Sequence, residues 1–177
     1  MKIEKIVTGY LEENCYVAYE EESKKAFIVD PGSEEEKIEK VIINNDLKVI
    51  GILVTHYHFD HVGALDYFKD KYKVKVYDYL YADDILSLGN FTIEVIPTMG
   101  HTDMDVSFYL RDENVMFTGD FLFKDTVGRY DFDNSDVNEM NASIKKIKEF
   151  DPKTKIYPGH GDITSLSREF KNNEYLN

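Results

Sequence analysis

The sequence contains a single cysteine, Cys15, so no intrachain disulfide can form and nothing points to an oxidising compartment. A lone cysteine in an apolar segment reads as a small buried residue. Apolar runs are short. The longest, Val49 to Val54, is interrupted by Gly51 and cannot span a bilayer, and the N-terminal stretch has no apolar segment of signal-peptide length. A cytoplasmic protein without membrane contact is expected. Positive charge is scarce: 21 basic against 34 acidic side chains give a net charge of -13. Such a surface repels phosphate backbones, which argues against a nucleic-acid partner. A serine-nucleophile elbow, a P-loop and a dinucleotide glycine fingerprint are all missing. Repeats, low-complexity tracts and Pro/Gly/Ser-rich linkers are missing too, so residues 1–177 are expected to form one domain.

Strand signals dominate. Three apolar segments, Ile3 to Val7, Cys15 to Tyr19 and Ala26 to Val29, read as antiparallel strands. A helix is expected from an N-cap at Ser33 to about Asn44. Leu47 to Thr55 reads as a strand buried on both faces, His61 to Lys69 as a short helix, and Lys73 to Tyr77 and Phe91 to Pro97 as strands around a turn at Leu88-Gly89-Asn90. Ser107 to Leu110 and Val115 to Thr118 pair as a hairpin, a helix capped by Asn134 or Ser135 ends near Phe150, and a strand at Lys155 to Tyr157 precedes a helix from about Leu166. Strands with helices interspersed in both halves favour an α/β layered sandwich.

The chemistry is concentrated in His56-Tyr57-His58-Phe59-Asp60-His61, four metal-ligand side chains within six residues. In extended backbone, residues two apart point the same way, so His56 and His58 can grip one ion while Asp60 and His61 face a second. His101, Asp120 and His160 each follow a glycine just after an expected strand, where loops build sites and glycine admits close backbone approach. All five histidines are thus placed at strand ends or in loops. Packing so many ionisable groups together without a cation would be costly. Imidazole and carboxylate without thiolate suit zinc, with iron, manganese or cobalt as alternatives. His56, His58 and His101 would hold one ion with a position open for water; Asp60, His61 and His160 would hold the other, with Asp120 bridging. Two such ions share and acidify a water nucleophile, and Asp60, His58 and Asp120 are the residues expected to carry the reaction. Phe59 is expected to pack beneath this loop; Tyr57 and Tyr130 are candidates for the rim, core or surface packing being the expectation for most of the thirteen tyrosines.

The segment THYHFDH resembles the T-H-x-H-x-D-H signature of the metallo-β-lactamase superfamily, and Met99 to Thr102, Thr118 to Asp120 and Tyr157 to His160 resemble its later ligand motifs in the same order. That resemblance implies a four-layer αββα sandwich with two metals at one edge. Thr118 to Phe132 most resembles glyoxalase II-like hydrolases, which implies a thioester of a small thiol, such as S-lactoylglutathione, as substrate. No C-terminal helical domain of the kind those enzymes use for glutathione is expected here. Arg129 stands where a basic substrate-contacting residue would be expected, with Tyr130 beside it, and Asp131 replaces an aromatic seen in many relatives. Rival readings are a mononuclear-iron persulfide dioxygenase, a lactonase or β-lactamase-type hydrolase, and a metal-stabilised binding module without turnover.

Overall fold

A computed structural model describes residues 1–177. Its first half forms β1 (Lys2–Thr8), β2 (Glu13–Tyr19), β3 (Lys25–Val29), α1 (Glu35–Asn44), β4 (Lys48–Leu53), α2 (Phe59–Val62), α3 (Leu65–Tyr72) and β5 (Val76–Tyr77). The second half adds β6 (Ile85–Leu88), β7 (Phe91–Pro97), β8 (Val106–Leu110), β9 (Val115–Gly119), α4 (Val137–Ile147), β10 (Lys155–Pro158), β11 (Thr164–Ser165) and α5 (Leu166–Asn172). Two sheets result, ordered β1-β2-β3-β4-β5 and β11-β10-β9-β8-β7-β6. Pairing is parallel at β3–β4, β4–β5 and β9–β10 and antiparallel elsewhere.

Period-two alternation divides each strand between two cores. Tyr16, Ala18, Phe27 and Val29 face the second sheet, whose Phe108, Leu110, Val115 and Phe117 meet them. The intervening Cys15, Val17, Ala26 and Ile28 face Ile38 and Ile42 of α1 and Phe68 of α3. On the far side, Tyr109 and Met116 pack against Met140 and Ile144 of α4 and Leu166 of α5. Helices therefore cover both outer faces, giving the expected αββα sandwich; strands buried on both faces need apolar residues at nearly every position, as β2 and β8 show. Cys15 is buried in this core. No helix is long and apolar enough to cross a membrane.

Several boundaries differ from the sequence expectation. Glu34, not Ser33, occupies the cap of α1 in left-handed backbone, while the Ser33 N–H donates to Thr8 Oγ1 at 3.2 Å. Asp136 rather than Asn134 or Ser135 caps α4, accepting from the N–H of Asn138 and of Glu139; two free N–H groups at a helix start favour a carboxylate. The helix expected over His61 to Lys69 is two helices, α2 and α3, and the strand expected over Lys73 to Tyr77 shrinks to β5 because Lys73 turns left-handed to end α3. Two short edge strands, β6 and β11, were not expected.

Candidate metal centre

Several strands end at one edge of the sandwich, where backbone bonds tie their ends together. Val106 N–H donates to Thr55 O at 3.0 Å, Asn14 N–H to Gly159 O at 2.7 Å, and Gly159 N–H to Gly119 O at 2.8 Å. The residues that leave these ends are His56 after β4, His101 after β7, Asp120 after β9 and His160 after β10. Asp60 and His61 ride on α2, so His61 lies in a helical turn rather than in a loop, its N–H donating to His58 O at 2.9 Å. Close approach demands glycine here: a Cβ on Gly159 would stand 2.3 Å from Asp120 Oδ1 and 2.6 Å from His61 Cε1.

All seven sequence-predicted residues converge. His56, His58, His101 and Asp120 present ligand atoms within 4.8 Å of one another, and so do Asp60, His61 and His160. His58 Nδ1 lies 3.0 Å from His56 Nε2 and 3.0 Å from His101 Nε2. Asp120 reaches both groups: Oδ2 is 3.6 Å from His101 Nε2 and 3.6 Å from His160 Nε2, and Oδ1 is 3.3 Å from His61 Nε2. His160 Nε2 lies 3.3 Å from Asp60 Oδ2.

The surrounding acceptors set the tautomers. His101 Nδ1 donates to Arg129 O at 2.8 Å, His160 Nδ1 to Leu11 O at 3.1 Å, and His61 Nδ1 to Asp30 Oδ2 at 3.1 Å. Thr55 Oγ1 donates to Asp30 Oδ2 at 2.6 Å and so accepts from His56 Nδ1 at 3.1 Å. Each assignment, inferred from the network, turns Nδ1 outward and aims Nε2 inward, as metal-binding histidines are arranged. At the centre, His61 Nε2 and Asp120 Oδ1 are buried and without a hydrogen-bond partner. Orphaned polar atoms are costly, and a divalent cation satisfies both, so the donor set fits the hard or borderline metals that imidazole and carboxylate prefer.

Electrostatics separate the two groups. Burial pushes His56 well below the ordinary imidazole range, and it lowers His58 as well. Burial also opposes charge on His61, but the Asp120 and Asp30 carboxylates outweigh it and raise His61 well above that range. His160 is raised in the same way, burial being outweighed by its bond to Asp60 and by Asp120. Asp120 and Asp60 are held low against their burial, Asp120 chiefly by His61 and Asp60 chiefly by His160.

A cavity of about 520 Å³ opens over the cluster, walled by Leu11, Phe59, Phe123, Phe132 and Arg129. Two expectations are corrected here. Phe59 does not pack beneath the loop; it is 64% exposed and stacks on Tyr10, because the first turn of α2 directs it outward. Tyr130 faces a neighbouring hollow with Thr126 and Tyr175, and Phe132 takes the place at the cavity, edge-on to His58 and His101. Tyr57 is on the surface, bonded to Asp78. Sequence reasoning missed Asp30 and Thr55, which orient two histidines, and Glu13, a fully buried carboxyl beside His61 and Asp30. The only signal for Asp30 was an acid closing a buried strand.

Residues 8–83 and 78–160 match the family described as the metallo-β-lactamase superfamily. Hydroxyacylglutathione hydrolase GloC of Haemophilus influenzae is 30% identical, with 100% of this chain aligned to 99% of that one. Among solved structures, the B3 metallo-β-lactamase BLEG-1 is 31% identical with a TM-score of 0.92, covering 99% of each chain. TTHA1623 in a di-iron-bound form is also 31% identical, with a TM-score of 0.83 over 97% of this chain and 99% of that one. The strand-end cluster, the αββα layers and these relatives agree, and the chain belongs to the metallo-β-lactamase superfamily of metal-dependent hydrolases.

Proposed function

We propose that this hydrolase cleaves thioesters of a small thiol, S-lactoylglutathione being the type of substrate, with two divalent cations, foremost zinc. His56, His58 and His101 would hold one cation, Asp60, His61 and His160 the other, and Asp120 both. The observation that carries this reading is the position of Asp120, whose two oxygens face histidines of both groups on the floor of the cavity. When bound, such a cation pair supplies Lewis acidity and a water acidified toward neutral pH. The chain's own part is positioning. Asp30, Thr55, Leu11 O and Arg129 O fix four imidazoles with Nε2 inward, so little reorganisation remains when the reaction starts. Asp60 and Asp120 stay ionised at neutral pH and can accept a hydrogen from the attacking water. Phe123 and Phe132 offer an apolar wall to the acyl group and thin the water around it.

The likeness to GloC supports thioester hydrolysis, the likeness to BLEG-1 supports a β-lactam as second reading, and TTHA1623 supports iron as an alternative metal. The test is S-lactoylglutathione hydrolysis beside nitrocefin hydrolysis, with metal content measured on the same preparation. Thioester turnover well above nitrocefin turnover, with about two metals per chain, is expected. Nitrocefin turnover alone would select the second reading, and a single iron with persulfide-dependent oxygen uptake would overturn both.

A further inference from the structure

The cavity over the cluster has two carboxylates at its floor, Asp60 and Asp120, and Arg129 is the one arginine or lysine among its lining residues. Arg129 is anchored there by its own backbone, because its carbonyl accepts His101 Nδ1 at 2.8 Å. Its guanidinium carbon lies 4.2 Å from the centre of the Phe132 ring, and that ring stands edge-on to His58 and His101 at 5.2 and 5.4 Å. A cation so placed is suited to grip a substrate carboxylate with two parallel N–H bonds. That edge is already filled. Arg129 Nε donates to Asp131 Oδ1 at 2.6 Å and a terminal nitrogen donates to Oδ2 at 3.0 Å. Lys124, which follows the lining residue Phe123 in sequence, is likewise paired, with Asp162 at 2.7 Å.

We propose that Asp131 is a specificity-determining residue: by occupying one edge of the Arg129 guanidinium it weakens the binding of substrates that carry a carboxylate near the cavity mouth, glutathione thioesters among them. The inference rests on the cavity being the substrate site of the proposed hydrolase. An incoming carboxylate must displace Asp131 or take the terminal edge of a guanidinium whose charge Asp131 already offsets, so it gains little. Exchange against a solvated bidentate pair of this kind changes affinity about two- to fivefold, a preference rather than a barrier.

Binding, not turnover, tests it. S-hexylglutathione and its dimethyl ester share a shape and differ in two carboxylates, and neither is a thioester. Their affinities are measured by calorimetry on the metal-loaded wild type, Asp131→Asn and Arg129→Gln/Asp131→Asn. Asp131→Asn is expected to bind the acid about two- to fivefold more tightly and the ester as before, and the double variant to lose the gain. Persistence of the gain without Arg129 would mean a general field effect and overturn the proposal. Equal change for acid and ester, no change, or no binding to any of the three proteins would overturn it as well. S-lactoylglutathione turnover is recorded separately. Its absence alongside the expected binding pattern would remove the thioesterase reading and leave the charge discrimination standing.

Discussion

One half of the cluster, His56, His58 and His101, is all imidazole, and burial keeps His56 and His58 neutral. The other half, Asp60, His61 and His160, lies against carboxylates that raise both of its histidines. The first half awaits a cation with its lone pairs free, whereas the second carries internal ion pairs that a cation must break. Ligands bind metal only when deprotonated, so the two halves should respond differently to the same perturbation although both sit on one cavity floor.

The largest effect is expected from the residue the halves share. Asp120→Ala should lower kcat/KM by about a thousandfold or more, the scale of removing central electrostatic machinery, and should lower the number of bound cations. A loss confined to one half, with turnover intact, would show that the halves act independently.

Acidification should separate them next. His61 and His160 have raised values, so they hold protons to higher pH than the other half, and cation binding expels those protons. Affinity at that half should fall as pH drops from 8 to 6, by up to about a hundredfold per unit if both protons are displaced. At the His56 half the lowered values leave those nitrogens already bare, and affinity should change little over that range. Calorimetry at several pH values in buffers of different ionisation enthalpy reads both the affinities and the protons released.

How much of this contrast could be read from the sequence depends on which forces act locally. The seven candidate ligands were legible because all five histidines of the chain fall in one six-residue run or just after a glycine, with Asp60 and Asp120 in the same settings, and the double-sided strands were legible as apolar runs such as Val106–Leu110. The orienting shell was not. Asp30 reaches His61 and Thr55 only after β3 and β4 pair, and nothing near Asp30 in sequence announces those partners. Ser135 shows the same limit: it looked like a helix cap, yet its hydroxyl donates to His101 O at 2.6 Å while Asp136 caps α4. Phe59 and Tyr130 were misplaced because a single helical turn and an irregular loop direct side chains by geometry that periodicity does not encode. Edge strands β6 and β11, of four and two residues, are too short to alternate detectably.

Asp30→Asn sharpens the comparison through that hidden shell. It weakens the acceptor for His61 Nδ1 and should reduce cation affinity at the carboxylate-rich half by roughly 10- to 100-fold, the usual effect of losing an outer-shell partner. The effect at the other half should be smaller, transmitted only through Thr55.

The smallest effect concerns stability. Burial pushes the Glu13 carboxyl up to about 9 from 4.5, so the folded chain keeps a proton that the unfolded chain loses. Wild-type stability should therefore decline as pH rises from about 4.5 toward 9. Glu13→Gln mimics the neutral acid and removes that slope. Thermal melts of metal-free protein should find the variant close to wild type near pH 5 and higher by on the order of 5 °C at pH 8.5.

Calorimetric titration of demetallated protein with zinc at pH 7, wild type against Asp120→Ala, bears most directly on the shared cluster. Two cations per wild-type chain, one accompanied by proton release, and a weakened or lost binding event in the variant would match a pair of half-sites joined by one carboxylate. A single cation bound without proton release, and with the same affinity in Asp120→Ala, would contradict it.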